Sequence, residues 1–118
     1  MSEQRSTRVE DTPDPLRPDA TVAARALAEV RRLVLRGLGE TRAKVLLFGS
    51  WARGEASRHS DIDVGILPLE ALPPGLLGRI REELEESTVP YRVDVVDLSE
   101  ANPELRSRAL AEVSPWTA

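Results

Sequence analysis

Apolar positions recur along this chain first at the spacing of a helix, then in short runs with the alternation of strands. From Asp19 onward, Val22, Ala26, Leu27, Val30, Leu33, Val34 and Leu38 fall three or four residues apart, which gathers them on one stripe of a helix. The other face is basic, with Arg25, Arg31, Arg32 and Arg36. Asp19 or Thr21 can cap this helix at its start, and Gly37 and Gly39 are expected to end it. A first strand follows over Lys44 to Phe48, then a Gly49-Ser50 turn, a short helix from Ser50 to Arg53 and a polar loop from Gly54 to Ser60. The run DIDVGIL, Asp61 to Leu67, reads as a second strand, closed by the rigid turn of Pro68, Pro73, Pro74 and Gly75. A second long helix is expected over Leu76 to Ser87, with Leu76, Leu77, Ile80 and Leu84 inward and Glu82, Glu83, Glu85 and Glu86 solvated. The β-rich run Tyr91 to Asp97 gives a third strand. Asn102 as cap and Pro103 at the first position then start a last helix reaching about Val113. This order predicts an α/β fold, a small mixed β-sheet backed by helices.

The pattern also sets the domain organisation. Residues Met1 to Pro18 are polar, contain Pro13, Pro15 and Pro18, and show no periodic apolar face, so they read as a flexible N-terminal arm. Residues 19–118 form a single domain, large enough to bury a core without metal or disulfide staples. The chain of 118 residues has no cysteine, which excludes a disulfide framework, a zinc–thiolate site and a cysteine nucleophile. No apolar run approaches the ~20 residues of a membrane helix, and the charged, Pro-rich start is unlike a signal peptide. A cytoplasmic protein is expected. With 16 basic against 20 acidic residues the net charge is −4, so nucleic acid is not expected as a direct ligand. Two Trp, one Tyr and one Phe are too few for a platform that stacks single strands.

Candidate chemistry is concentrated between Gly49 and Asp63, GSWARGEASRHSDID. Alternation along a strand points Asp61 and Asp63 to one face while Ile62, Val64 and Ile66 point to the other. Carboxylates at i and i+2 lie roughly 6.5–7 Å apart along a strand. They can flank two Mg²⁺ ions about 3.5–4 Å apart that hold the attacking and leaving oxygens of an in-line displacement. Gly49 has no Cβ to keep a phosphate away from the backbone. Ser50 adds a hydroxyl and an N–H, and a helix beginning there would turn its amides toward an anion. Arg53, one turn on, can donate a charge-assisted pair to phosphate. A third acid, Asp94, lies between Val93 and Val95; if the valines face the core, Asp94 faces the site. Asp97 has the opposite parity and reads as a strand-end acid, so Asp94 is the preferred third carboxylate.

Plainer roles compete for several of these residues. Asp61 and Asp63 alone could be solvent-facing acids at the start of a strand; the Gly-Ser turn and Asp94 tell against it. Arg53 and Arg58 could equally be solvated loop cations. His59 is the sole histidine and, without companion ligands, reads as a surface residue. Trp51 suits packing better than contact with a nucleotide, and Trp116 is either a cap on the core or an interface anchor.

The pattern G-S-x10-D-x-D, with a further acid in a hydrophobic strand, resembles the DNA polymerase β-like nucleotidyltransferases. The wording GSWARGEASRHSDIDVGIL is similar to the minimal nucleotidyltransferase (MNT) domain proteins, many of which are antitoxins of HEPN/MNT toxin–antitoxin pairs. The resemblance spans roughly Lys44 to Leu98 and implies the polymerase β-like fold. It implies that Gly49 and Ser50 hold nucleotide phosphate, and that Asp61, Asp63 and Asp94 bind Mg²⁺. Asp94 would lie nearest the attacking hydroxyl. The activity implied is transfer of a nucleoside monophosphate, AMP from ATP, to a hydroxyl such as a tyrosine of a HEPN toxin. Two other functions fit the same residues: a binding module that neutralises the toxin by contact through the Arg-rich helix and Trp116, or a catalytic subunit whose substrate domain is a separate chain. Homo-oligomers are compatible with every one of these readings.

Overall fold

A computed structural model describes residues 18–111 and 114–115. Of the expected arm only Pro18 is among them, and Trp116 lies outside the described residues. The first helix, α1, spans Ala20–Leu38. Asp19, not Thr21, caps it: its carboxylate accepts from the N–H of Thr21 at 2.9 Å and of Val22 at 3.1 Å, satisfying two of the free amides of the first turn. Ala26, Val30, Leu33, Val34 and Leu38 are buried as the spacing requires, whereas Val22 is exposed near the helix start.

Next come β1 (Ala43–Phe48), the one-turn α2 (Ser50–Arg53), β2 (Ile62–Pro68), α3 (Leu76–Glu85), β3 (Val93–Asp97), α4 (Pro103–Ala111) and β4 (Ser114–Pro115). The four strands form one mixed sheet in the order β3-β2-β1-β4. β1 pairs antiparallel with β2 and with β4, while β2 and β3 run parallel, joined through α3. β4 had no signal in the apolar pattern; it is a two-residue strand held by pairing with Leu46 and Leu47. Boundaries also differ slightly from the expected ones. Asp61 precedes β2 rather than opening it, β3 starts at Val93, and α3 stops two residues before Ser87. No helix among the described residues is long and apolar enough to cross a membrane.

The sheet has two unlike faces. On one, Val45, Leu47, Ile62, Val64, Ile66 and Val95 pack against α1 and α3 through Val30, Val34, Leu76, Ile80 and Leu84. Ile62, Val64 and Ile66 have no exposed surface, and each such burial stabilises the fold by roughly 1.5–3 kcal/mol. On the other face a smaller cluster of Leu46, Phe48, Leu98 and Ala109 is joined by Val96 and Leu105. There α4 supplies the cover. Asn102 Oδ1 accepts from Leu105 N–H at 2.8 Å, starting that helix as expected.

Gly37 corrects a sequence expectation. It lies inside α1 and does not end it; Gly39, with φ 58°, is the residue that terminates the helix. A Cβ at Gly37 would overlap the side chain of Ile80, so its role is close contact between α1 and α3. Ile80 is almost wholly buried and has little room to yield. Gly37→Ala is therefore expected to lose about 1 kcal/mol, since overpacking of roughly 1–3 kcal/mol outweighs a helix-propensity gain of up to ~1 kcal/mol. In an Ile80→Ala background, which removes the two side-chain carbons closest to the new Cβ, the loss should shrink. Urea melts of the four proteins in this double-mutant cycle check it, and additive effects would refute the contact.

Candidate active site

Strand register assembles the site. Phe48 of β1 pairs with Asp63 of β2, and Asp63 pairs with Asp94 of β3, so the three form one row across the sheet. The next row, Leu46, Gly65 and Val96, is defined by the same two ladders and lies beneath α4 and Leu98. The carboxylates thus project from the less covered face, at the end of the sheet that α4 leaves open. Alternation places them there: Ile62, Val64 and Val95 are buried on the opposite face, Asp63 is half-buried and Asp94 is exposed.

Gly49 joins the turn to this row. Its φ of 75° and ψ of −155° lie in a region open essentially to glycine alone, and a Cβ there would collide with the Asp63 carboxylate. The backbone after β1 can therefore lie directly against Asp63. Between α2 and β2 the chain is tied down locally. Ser57 N–H donates to Ser60 Oγ at 2.9 Å, and Trp51 Nε1 donates to the Ser60 carbonyl at 3.3 Å. The Trp51 ring also meets Tyr91 edge-on, with centroids 4.9 Å apart. Trp51 therefore packs, and through Ser60 it fixes the residue before Asp61. His59 is exposed in this loop, matching its reading as a surface residue.

The acids feel one another. Burial first, and then the neighbouring charges of Asp94 and Asp61, together push the Asp63 carboxyl up to about 6, against an opposing pull from Arg53. Hard oxygen donors under mutual repulsion are the chemistry that a hard divalent cation relieves. The donor set fits such an ion, with Asp61, Asp63 and Asp94 as the residues that would hold it. Among the described residues no three acidic or histidine side chains already form a closed ligand cage. Asp63 and Asp94 face one cleft, while Asp61 stands outside its wall. Asp97 is engaged elsewhere: its Oδ1 accepts from Ser99 N–H at 2.9 Å and Ser99 Oγ at 2.6 Å, the strand-end role expected of it.

A cleft of about 420 Å³ is lined by Gly49, Ser50, Arg53, Asp63 and Asp94, with Phe48, Val96, Leu105 and Arg108. Five of the six residues singled out in the sequence thus share one cavity. Asp61 is not in its wall and reaches it through its effect on Asp63. Arg53 also pairs with Glu55 at 2.6 Å, both side chains being exposed. Because α2 is a single turn, little helix dipole is available to an anion, and the Gly49 backbone, Ser50 and Arg53 are the parts that can meet one. Leu105 and Arg108 were not foreseen. The only signal was that Leu105, Arg108 and Ala109 share a helix face at i, i+3 and i+4.

Residues 40–114 match the family model for polymerase beta nucleotidyltransferases, a stretch that contains the whole cleft. The chain belongs to this nucleotidyltransferase family. It is 36% identical over 62 residues to the probable protein adenylyltransferase MntA of Haemophilus influenzae, a match covering 52% of this chain and 54% of that protein. The matched region is thus about half the length of that curated relative. Among solved structures, a candidate minimal nucleotidyltransferase aligns with TM-score 0.61 and 34% identity, over 77% of this chain and 93% of the other. The complex of a tri-AMPylated Shewanella oneidensis HEPN toxin with its MNT antitoxin aligns with TM-score 0.58 and 19% identity, over 79% of this chain and 70% of the other, a likeness of fold. The expected family and α/β fold are borne out.

The raised Asp63 carboxyl makes a signed prediction about stability. An unfolded aspartate titrates near ~3.9, so between pH ~4 and ~6 the folded protein keeps a proton that the unfolded chain releases. Stability therefore declines as pH rises through that window and stays lowered above it. Asp63→Asn, which carries no charge, should melt a few degrees higher than the parent at pH 7–8, a gain of roughly 1 kcal/mol after discounting for solvent screening. Below pH 4 the two should coincide. Melting curves across pH 3.5–8 check it, and a gap that ignores pH would count against the buried, crowded charge of Asp63 as its source.

Proposed function

We propose that this chain is an Mg²⁺-dependent nucleotidyltransferase that moves AMP from ATP to a hydroxyl, the acceptor being a tyrosine on a HEPN-type protein. The observation that carries this reading is the row Asp63–Asp94 beside Gly49 in one cleft, with Ser50 and Arg53 in its wall. The protein adenylyltransferase similarity and the fold shared with the MNT partner of an AMPylated HEPN toxin support the choice of nucleotide and acceptor.

The step is an in-line displacement. The acceptor oxygen forms a bond to the α-phosphorus, the bond from that phosphorus to the bridging oxygen breaks, and pyrophosphate leaves with the electron pair. The acceptor proton passes to Asp94 or to water; Asp94 is the exposed carboxylate of the row. Two Mg²⁺ ions held by Asp61, Asp63 and Asp94 would neutralise phosphate charge and align the two oxygens. The Gly49 backbone, Ser50 and Arg53 hold the triphosphate, so the protein contributes positioning and charge stabilisation rather than a covalent nucleophile.

The alternative, neutralisation by contact alone, places the interface on the Arg-rich face of α1 and on Trp116, which lies outside the described residues. Part of that face is engaged within the chain. Arg32 donates to both Glu29 carboxylate oxygens at 2.8 Å, and Arg36 meets Glu83 at 3.2 Å.

With a HEPN protein from the same organism and α-labelled ATP, label should appear on the acceptor. Asp61→Ala and Asp63→Ala should each cut it by at least about a hundredfold, the scale of losing one preorganised electrostatic element. Undiminished labelling would refute the metal assignment. Independently, ATP with Mg²⁺ should raise the melting temperature more than GTP, CTP or UTP, since a ligand at 100 times its Kd adds about 2.7 kcal/mol. Equal shifts, or none, would remove ATP as the substrate.

A further inference from the structure

We infer that Arg108 of α4 is a second phosphate-binding residue, gripping the nucleotide's polyphosphate from the helix wall of the cleft. The inference rests on the nucleotidyl-transfer reading and adds a residue to that site. Arg108 lines the same 420 Å³ cavity as Asp63, Asp94, Ser50 and Arg53. Arg53 and Arg108 are the two basic side chains among the described residues of that wall. They come from chain segments far apart in sequence, one just after β1 and one on α4.

The helix geometry explains why Arg108 is there. Leu105 and Ala109 anchor α4 on the sheet, Ala109 being fully buried. Arg108, at i+3 from Leu105, shares that face, and its long stem can lie along the apolar wall while the guanidinium reaches into the cleft. Its one ion pair among those described is with Glu104, 3.8 Å away, with both side chains largely exposed. Such a contact holds a guanidinium weakly, so a phosphate offering two oxygens can displace it through a forked, charge-assisted pair.

Charge makes a second cation useful. The cleft carries Asp63 and Asp94, with Asp61 close by, and a triphosphate adds several more negative charges. Arg53 is shared with Glu55. One guanidinium so engaged is little cation for that anion, and Arg108 doubles the number available from the protein.

The test is calorimetric titration of the full chain with AMP-PNP and Mg²⁺, alongside adenosine, which has no phosphate. Arg108→Ala should weaken AMP-PNP by about tenfold or more and Arg108→Lys by less, because lysine keeps the charge but loses the fork. Adenosine should change by less than about twofold. Arg106→Ala removes the same charge from an exposed position on the same helix and should also stay within about twofold. The inference is overturned if Arg108→Ala binds AMP-PNP like the parent, if Arg106→Ala weakens it equally, or if adenosine suffers the same loss. Parent protein that binds no AMP-PNP overturns the inference and the nucleotidyl-transfer reading together. Parent binding with an indifferent Arg108→Ala overturns the inference alone.

Discussion

Two like charges held abreast by a strand ladder are the constraint around which this molecule is arranged. Asp63 and Asp94 are direct partners in the parallel β2–β3 register, on strands about 4.8 Å apart. Left to electrostatics they would separate; burial first, and then the Asp94 charge, raise the Asp63 carboxyl. The opposite face of the same strands keeps them together. Ile62, Val64 and Ile66 are wholly buried and Val95 nearly so, and slipping either strand by one residue would turn these side chains toward water. At roughly 1.5–3 kcal/mol for each buried side chain, the register outweighs a screened repulsion of about 1–2 kcal/mol. The core thus sets the acid pair, although Ile62, Val64, Ile66 and Val95 take no part in the cleft wall.

The same division explains why the site is open. α1 and α3 pack broadly over one face of the sheet, whereas the short α4 covers a smaller cluster around Leu46 and Phe48 and presents Leu105 and Arg108 to the cleft. A longer cover would seal the carboxylates from substrate. Glycine sets the depth at two places. A Cβ at Gly65 would run into Leu98, and one at Gly49 into Asp63, so bare backbone lets the covering side chain and the Asp63 carboxylate settle where they do.

The parts legible in the sequence were those carried by local pattern. Parity along two strands put Asp63 and Asp94 on the face opposite Ile62, Val64 and Val95, and the G-S-x10-D-x-D spacing marked the turn that meets them. The parts that were hidden depend on contacts between distant segments. Gly37 reads as a helix stop because glycine commonly is one; only the approach of Ile80, 43 residues on, shows it to be a packing position. Arg108 looks like any arginine on a solvated helix until the second apolar cluster fixes how α4 lies. β4 has two residues and takes its identity wholly from β1. Trp51 fell between, since its bulk signalled packing while its hydrogen bond to Ser60 required the folded loop.

The acid pair also separates catalysis from mere binding. A module that worked by contact alone would gain nothing from Asp63 beside Asp94, and a single Asp63→Asn change would relieve the repulsion without touching the core or the surface helices. An arrangement that lowers stability and is so easily relieved makes sense where the charges have a use in the cleft they face. The turn argues the same way. Gly49 takes a backbone conformation few other residues could hold and sits against that carboxylate, so the position is restricted to glycine by its φ and by the approach of Asp63. Two independent constraints, one electrostatic and one steric, meet at the same carboxylate. Phosphoryl chemistry gives both of them a purpose, and the contact-only function gives neither.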